Sequence, residues 1–264
     1  MFYHDKNAGR RMDGSSKPTD RPRRSRPVRV AEEIKQWVVE RDLKQGDKLP
    51  NEAEMIGLFA VSKGTVREAM RILEAQGLIV TRTGPGGGSF VGEVSAERAR
   101  SLLANYFYFQ DLSVADIYQM RKALEPELAA SLAGRLNAAQ LDELQALAER
   151  HPEPARSAEE EKEQHVASLA FHARLADFAG NRLLGFVIGF MARILTDLTV
   201  YRRLYEPPNH ALWERGRHHQ IELVRALRDG DGARARSIMA SHMAGAEQMM
   251  AAQEARLMRR FMAD

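Results

Sequence analysis

A chain of 264 residues, 44% hydrophobic and 28% charged, is long enough for two domains with separate cores, and its composition excludes the disordered and fibrous classes. The net charge of +3 is too small to point to nucleic acid by itself, and the absence of Cys excludes disulfides and thiolate metal sites. The most apolar stretch, Leu183 to Val200, is interrupted by Arg193 and Asp197, so no membrane span is expected; with no apolar leader run before a small-residue cleavage site, the expected compartment is the cytoplasm.

From Met1 to Arg29, nine Lys or Arg stand against three Asp, with almost no large apolar residue after Phe2 and Tyr3. Residues 1–27 therefore read as a flexible basic arm, either a solubilising leader or a source of nonspecific phosphate attraction. Residues 28–93 read as a winged helix-turn-helix. The first periodic segment begins near Val28 and ends before Gly46, with Val30, Ile34, Trp37 and Val38 on one face and Glu32, Glu33, Lys35 and Glu40 on the other. A second helix is predicted over about Asn51 to Phe59, with Met55, Ile56 and Phe59 inward and Glu52 and Glu54 at its positive end. After a short turn, Ser62 is placed to cap a third helix through Thr65, Val66, Ala69, Met70 and Leu73 to Gly77. Leu78 to Thr83 and Ser89 to Glu93 then read as strands of a hairpin joined by Gly84, Pro85, Gly86, Gly87 and Gly88. This is a wing rather than a phosphate-cradling loop, since neither a Lys-Ser/Thr pair nor a long helix follows the glycines.

Beyond the wing the pattern is helical. Residues 94–111 read as a connecting helix whose Leu102, Leu103, Tyr106 and Phe107 need a partner surface. Residues 112–255 read as a helical effector-binding and dimerisation domain, with 256–264 as its tail. Ser113 with Asp116, and Asn137 with Gln140, resemble capping boxes for helices through Ile117, Met120, Leu124 and Leu128, and through Leu141, Leu144 and Leu147. Further helices are predicted at about Ala158 to Phe178, Arg182 to Tyr205, Ala211 to Arg228 and Gly232 to Met262. The fold class is thus mainly α: a winged helix-turn-helix followed by an antiparallel bundle of about seven helices, the connecting one included.

With Val66, Ala69, Met70 and Leu73 inward, the third helix leaves Lys63, Thr65, Arg67 and Arg71 outside. Arg presents two donors to guanine O6 and N7, while Ser62, Thr65 and the N-terminal amides suit phosphate, so Arg67 is expected to read bases. Arg71 meets either the opposite groove wall or solvent. Lys48 sits where the second helix starts and can approach a phosphate, and Gly86 and Gly87 make the wing thin enough for a minor groove. The runs Lys48-Leu49-Pro50-Asn51-Glu52, Phe59-Ala60-Val61-Ser62, Thr65-Val66-Arg67-Glu68-Ala69 and Leu73-Glu74-Ala75-Gln76-Gly77-Leu78-Ile79 closely resemble the DNA-binding domain of GntR-family regulators over about Val28 to Val91. The resemblance puts Lys63, Thr65 and Arg67 at operator-contacting positions and Gly86 to Gly88 at the wing tip. Many relatives carry Arg where this chain has Ala53, so one expected contact is missing.

Met120-Arg121 with Leu124-Glu125-Pro126, Phe171-His172 with Gly180-Asn181, and Gly230-Asp231 with His242 resemble the helical FCD effector-binding domain over about Leu112 to Ala252. That resemblance implies a dimer and a pocket for a carboxylate-bearing metabolite, often held through a divalent metal on one Asp and three His. Arg121 either meets a ligand carboxylate or pairs with Glu125 four residues on. His172 and His242, each beside apolar residues, would otherwise read as packing histidines. The metal set is incomplete: Ser168 stands where the family has Asp, and counting back from Gly230-Asp231 puts Gln220, not His219, at the third His position. His165 and His219 compensate only if the register is shifted, so a metal such as zinc is disfavoured and the cofactor left unknown. The expected effector residues are Arg121, His172, His219, Gln220 and His242; the expected partners are operator DNA with a short inverted repeat, a small organic acid and a second copy of the chain. Two other classes stand beside this reading, a helical-bundle enzyme and an architectural DNA-binding protein without an effector. The chain has no Ser-His-Asp, His-Glu-x-x-His or paired Glu-x-x-His pattern to serve the first.

Overall fold

The computed structural model describes residues 25–93, 95–110 and 112–263, so residues 1–24 of the expected basic arm lie outside the described residues. The chain divides into two compact units, the first ending at Ser95 and the second beginning at Ala96.

In the first unit, α1 (Arg26–Glu40), α2 (Glu52–Phe59) and α3 (Lys63–Ala75) are followed by the antiparallel pair β1 (Ile79–Arg82) and β2 (Gly88–Val91). The helix α1 starts earlier than the Val28 read from periodicity, because Pro27 is tolerated in a first turn whose N–H groups have no helical acceptor. The core is built from Val30, Ile34, Leu49, Met55, Val66, Ala69, Leu73 and Ile79, the apolar faces of the three helices closed by the first strand. Helix α2 opens with a capping box in which Asn51 accepts from the Glu54 amide at 3.0 Å and its own amide donates to Glu54 at 2.7 Å. Ala60, in the left-handed region at φ 48°, ends α2 and turns the chain into α3, where Ser62 Oγ accepts from the Thr65 amide. Gly77, at φ 77°, ends α3 as the Leu78 amide returns to the Leu73 carbonyl.

The second unit is all helix: α4 (Ala96–Tyr108), α5 (Val114–Leu132), α6 (Ala138–Glu149), α7 (Ala158–Asp177), α8 (Arg182–Tyr201), α9 (His210–Arg228) and α10 (Gly232–Ala263). Both expected capping boxes form, with Asp116 Oδ2 accepting from the Ser113 amide and Gln140 Oε1 from the Asn137 amide, each at 3.0 Å. Helix α5 packs along α10, α7 along α8, and α9 against α6 and α10, enclosing Leu128, Phe171, Leu175, Ile188, Leu195, Leu223, Leu227 and Met243. Helix α8 stops at Tyr201 rather than running to Tyr205: Arg203 turns to φ 52° and the Leu204 amide caps the Thr199 carbonyl.

One difference inside α5 decides what the bundle holds. The apolar stripe read through Met120 is displaced by one position, for Met120 is 47% exposed whereas Arg121 and Glu125 are each 1% exposed, in line with Ile117 and Leu128. A charged pair therefore occupies the inward face that periodicity assigned to a thioether.

Candidate functional site

The first candidate surface is the outer face of α3. Lys63, Arg67 and Arg71 are exposed along it, while Thr65 is half-buried and its hydroxyl lies 2.9 Å from that of the capping Ser62. Glu52, from the first turn of α2, reaches across to hold two of the cations: Arg67 Nε donates to Oε2 at 2.6 Å, and Lys63 Nζ lies 3.1 Å from Oε1. Hydrogen bonds from Arg67 and then Lys63 hold the Glu52 carboxyl below its usual range. Arg71 pairs with Glu68 at 3.5 Å. The wing stands beside this face. Lys48 and Arg82 both lie over the Phe90 ring, at 5.9 and 4.7 Å from its centre, and Lys48 bridges to Phe90 along the backbone. Gly86 turns at φ 77°, and a Cβ on Gly87 would come within 2.5 Å of the Arg82 carbonyl, so this tight tip requires glycine.

The second candidate is a cavity of about 60 Å³ inside the helical unit, lined from α5 by Tyr118 and Arg121, from α7 by Glu161, Gln164, His165, Ser168 and His172, from α9 by Trp213, Arg217 and Gln220, and from α10 by His242. The residues of α7 recur every three or four positions, which places them along one side of that helix. At the deep end Arg121 Nε donates to Glu125 Oε1 at 2.5 Å, and His172 Nδ1 donates to Glu125 Oε2 at 2.6 Å. The ionised carboxylate only accepts, so Nδ1 of His172 carries a proton, and its Nε2 lies 3.1 Å from His242 Nε2, where one proton is shared between the two rings. The two imidazole planes lie within 14° of each other. His219 stands beside this pair, its ring stacked with that of His242 at 5.3 Å and its Nδ1–H donating to the Arg215 carbonyl at 2.6 Å.

Burial alone would raise the Glu125 pKa, but the charges of Arg121 and His172 outweigh it and hold the carboxyl well below the usual range. His242 is pushed well below an ordinary imidazole by burial and by its neighbours His172 and Arg121, and His165 is lowered to about 4 by burial and the charge of Arg121. Both are neutral at pH 7. Five buried atoms lining the cavity have no hydrogen-bond partner among the described residues: Arg121 Nη2, His165 Nε2, Arg217 Nε, Gln164 Oε1 and Glu161 Oε2. Buried polar groups of this kind are normally satisfied.

The four positions that the FCD resemblance assigns to a metal do converge here, but their donors do not fit one. Gln220 Nε2 donates to Ser168 Oγ at 3.1 Å and to the Ser168 carbonyl at 3.2 Å, so the amide nitrogen faces α7 and the two residues satisfy each other. A backbone carbonyl can only accept, which settles the amide orientation. No group of three or more His, Asp or Glu among the described residues is arranged to hold an ion.

Arg121, His172, Gln220 and His242 are thus brought together, with His219 at the edge. Glu161, Gln164, Trp213 and Arg217 escaped the sequence reading; the spacing of Glu161, Gln164, Ser168 and His172 is the signal that could have found the first two.

Residues 27–91 match the family model described as bacterial regulatory proteins of the gntR family, and residues 116–245 match the FCD domain. The chain is similar to the HTH-type transcriptional regulator LutR of Bacillus subtilis, 28% identical over 79% of this chain and 94% of that protein. It is also similar to the HTH-type transcriptional repressor NanR of Escherichia coli, 27% identical over 64% of this chain and 66% of that one. Among solved structures, Streptococcus agalactiae GntR superposes with a TM-score of 0.56 at 20% identity, covering 84% of this chain and 99% of that chain, a likeness of fold.

Proposed function

We propose that this chain, which belongs to the GntR family of regulators and carries an FCD domain, is a cytoplasmic repressor whose hold on its operator is set by a small carboxylate-bearing metabolite. As a family member it is a DNA-binding transcriptional regulator. Arg67 reads guanine, Lys63 and Thr65 contact bases or backbone, Lys48, Ser62 and Arg71 position phosphates, and Gly86 and Gly87 carry the wing toward the minor groove. The functional unit is a homodimer on a short inverted repeat, since one small reading head offers few base contacts. Exposed Leu102, Leu103 and Tyr106 on α4 supply apolar surface for a partner copy. The name of NanR, a repressor, favours that sign of regulation.

The observation that carries the effector reading is Arg121: a fully buried guanidinium with Nη2 unpartnered, lining a cavity with the imidazoles of His172 and His242. A carboxylate meets that nitrogen with a charge-assisted hydrogen bond, and Gln220, His219 and the imidazoles complete its polar surroundings. The effector acts by population shift, binding the DNA-competent and DNA-incompetent states with different affinity. A thermal-shift screen of short carboxylic and sugar acids, followed by operator titration at one salt concentration, tests this. An acid present at about 100 times its Kd stabilises the chain by about 2.7 kcal/mol and changes operator affinity. Failure of every acid to do both would defeat the effector reading, and turnover of a bound acid would replace it with catalysis.

A further inference from the structure

The FCD cavity keeps two imidazoles on the four positions discussed above, and its other two residues are joined to each other. We propose that the Ser168–Gln220 hydrogen bond stands in place of a bound divalent metal, so that this regulator's cavity is metal-free and takes its anion directly on Arg121. The proposal rests on reading the cavity as the effector site, but its central claim concerns donor chemistry and is measurable without any effector.

Charge is the first argument. A divalent ion at these positions would be surrounded by Ser168, His172, Gln220 and His242, none of them an anion, and would share the cavity with the Arg121 guanidinium. Glu125, the nearby buried carboxylate, already has one oxygen on Arg121 and the other on His172. None of the four positions themselves supplies an anionic ligand to offset two positive charges. Donor orientation is the second. Gln220 aims its N–H group, which cannot ligate a cation, at Ser168, and Ser168 Oγ accepts it.

What remains from α5 is the support that a metal-bound imidazole would need, a carboxylate fixing the His172 tautomer. The support now orients a hydrogen-bonded imidazole pair beside a guanidinium. Restoring an anionic donor on α7 and an imidazole on α9 should therefore be enough to recreate a metal site.

The test uses zinc and cobalt as probes. Full-length protein purified without chelator, then equilibrated with zinc and desalted, is expected to retain less than about 0.1 ion per chain by elemental analysis. The variant Ser168→Asp with Gln220→His is expected to retain about one, to show the absorption of tetrahedrally or five-coordinated cobalt, and to lose both when His242→Ala is added. Near-stoichiometric zinc in the unmodified protein, abolished by His242→Ala, would overturn the proposal, and this measurement requires no redesigned site to fold. A double variant with unchanged circular dichroism that still retains no metal would equally overturn it, because the two residues would not then be the cause. Since neither measurement involves an acid, a failed effector screen leaves the metal result standing and counts only against the effector reading.

Discussion

Arg67 and Arg121 each pair with a glutamate, yet their surroundings give the two pairs opposite consequences. The Arg67–Glu52 pair is solvent-exposed, where ion pairs are weak and screened, so a guanine edge or a phosphate can take over the guanidinium at little cost. Arg67→Ala is expected to weaken cognate operator binding by roughly 1–3 kcal/mol with a much smaller effect on unrelated DNA. Titrations of both duplexes at one salt concentration decide it, and equal losses on the two would assign Arg67 to phosphate positioning. The Arg121–Glu125 pair has side chains only 2% and 1% exposed. Removing one partner of such a pair strands a buried charge, so Arg121→Met is expected to destabilise the helical unit by about 3–5 kcal/mol, most of it recovered when Glu125→Leu is added. Urea unfolding of the three proteins is the check; a single variant as stable as the parent would show that the pair is not sealed from water.

At the scale of elements, the wing and α8 show how tightly backbone geometry constrains what a segment can be. Pairing of Ile79 with Val91 and Arg82 with Gly88 brings the chain back on itself through a turn in which Gly87 has no room for a Cβ. Gly87→Ala must move the wing tip and is therefore expected to lower operator affinity while leaving helical circular dichroism unchanged. Unaltered affinity in a folded variant would remove the wing from the DNA contact surface. Helix α8 is long and apolar enough to cross a bilayer by length and composition alone, with a mean hydropathy of 1.8. In the bundle it instead buries Ile188, Ile194, Leu195 and Thr199, with its flank against α7, as a core helix does.

For the whole molecule, the buried imidazoles set the direction of pH dependence. His165, lowered to about 4, and His242, lowered well below 6.5 by burial, stay neutral in the folded chain while their unfolded counterparts bind protons. The unfolded state then carries more protons between about pH 6.5 and 4, so stability rises with pH across that window and falls on acidification. Glu125, whose folded pKa is depressed, adds stability that is present above its unfolded value of 4.5 and is lost at lower pH, in the same direction. Unfolding in urea at pH 7.5, 6 and 5 should show the helical unit weakening stepwise; a flat profile would mean that these histidines are hydrated in the native state. The dimer is a prediction at this scale too. Light scattering should give twice the chain mass, and substituting Leu102 and Tyr106 with Lys should reduce it, whereas a monomer with full affinity for one half-site would rule the dimer out.

The sequence by itself determined the order and kind of the elements, because caps, glycines and apolar periodicity act within a few residues: Ser62, Ser113 and Asn137 start helices where they were read, and the glycines close the wing. It also determined the exposed cations of α3, since a helix with one core face leaves the other to solvent. Arg121 was read as an effector residue, but only the tertiary structure decided that Met120 faces out and Arg121 takes its place on the inward face, because a single-position rotation of α5 is settled by what the rest of the bundle offers across from it. Likewise, Ser168 and Gln220 are 52 residues apart, and no local pattern could tell that their side chains meet. That Glu125 bridges Arg121 to His172 was beyond reach for the same reason: a buried charge is tolerated only where partners from distant segments converge on it, and that convergence is a property of the packed bundle.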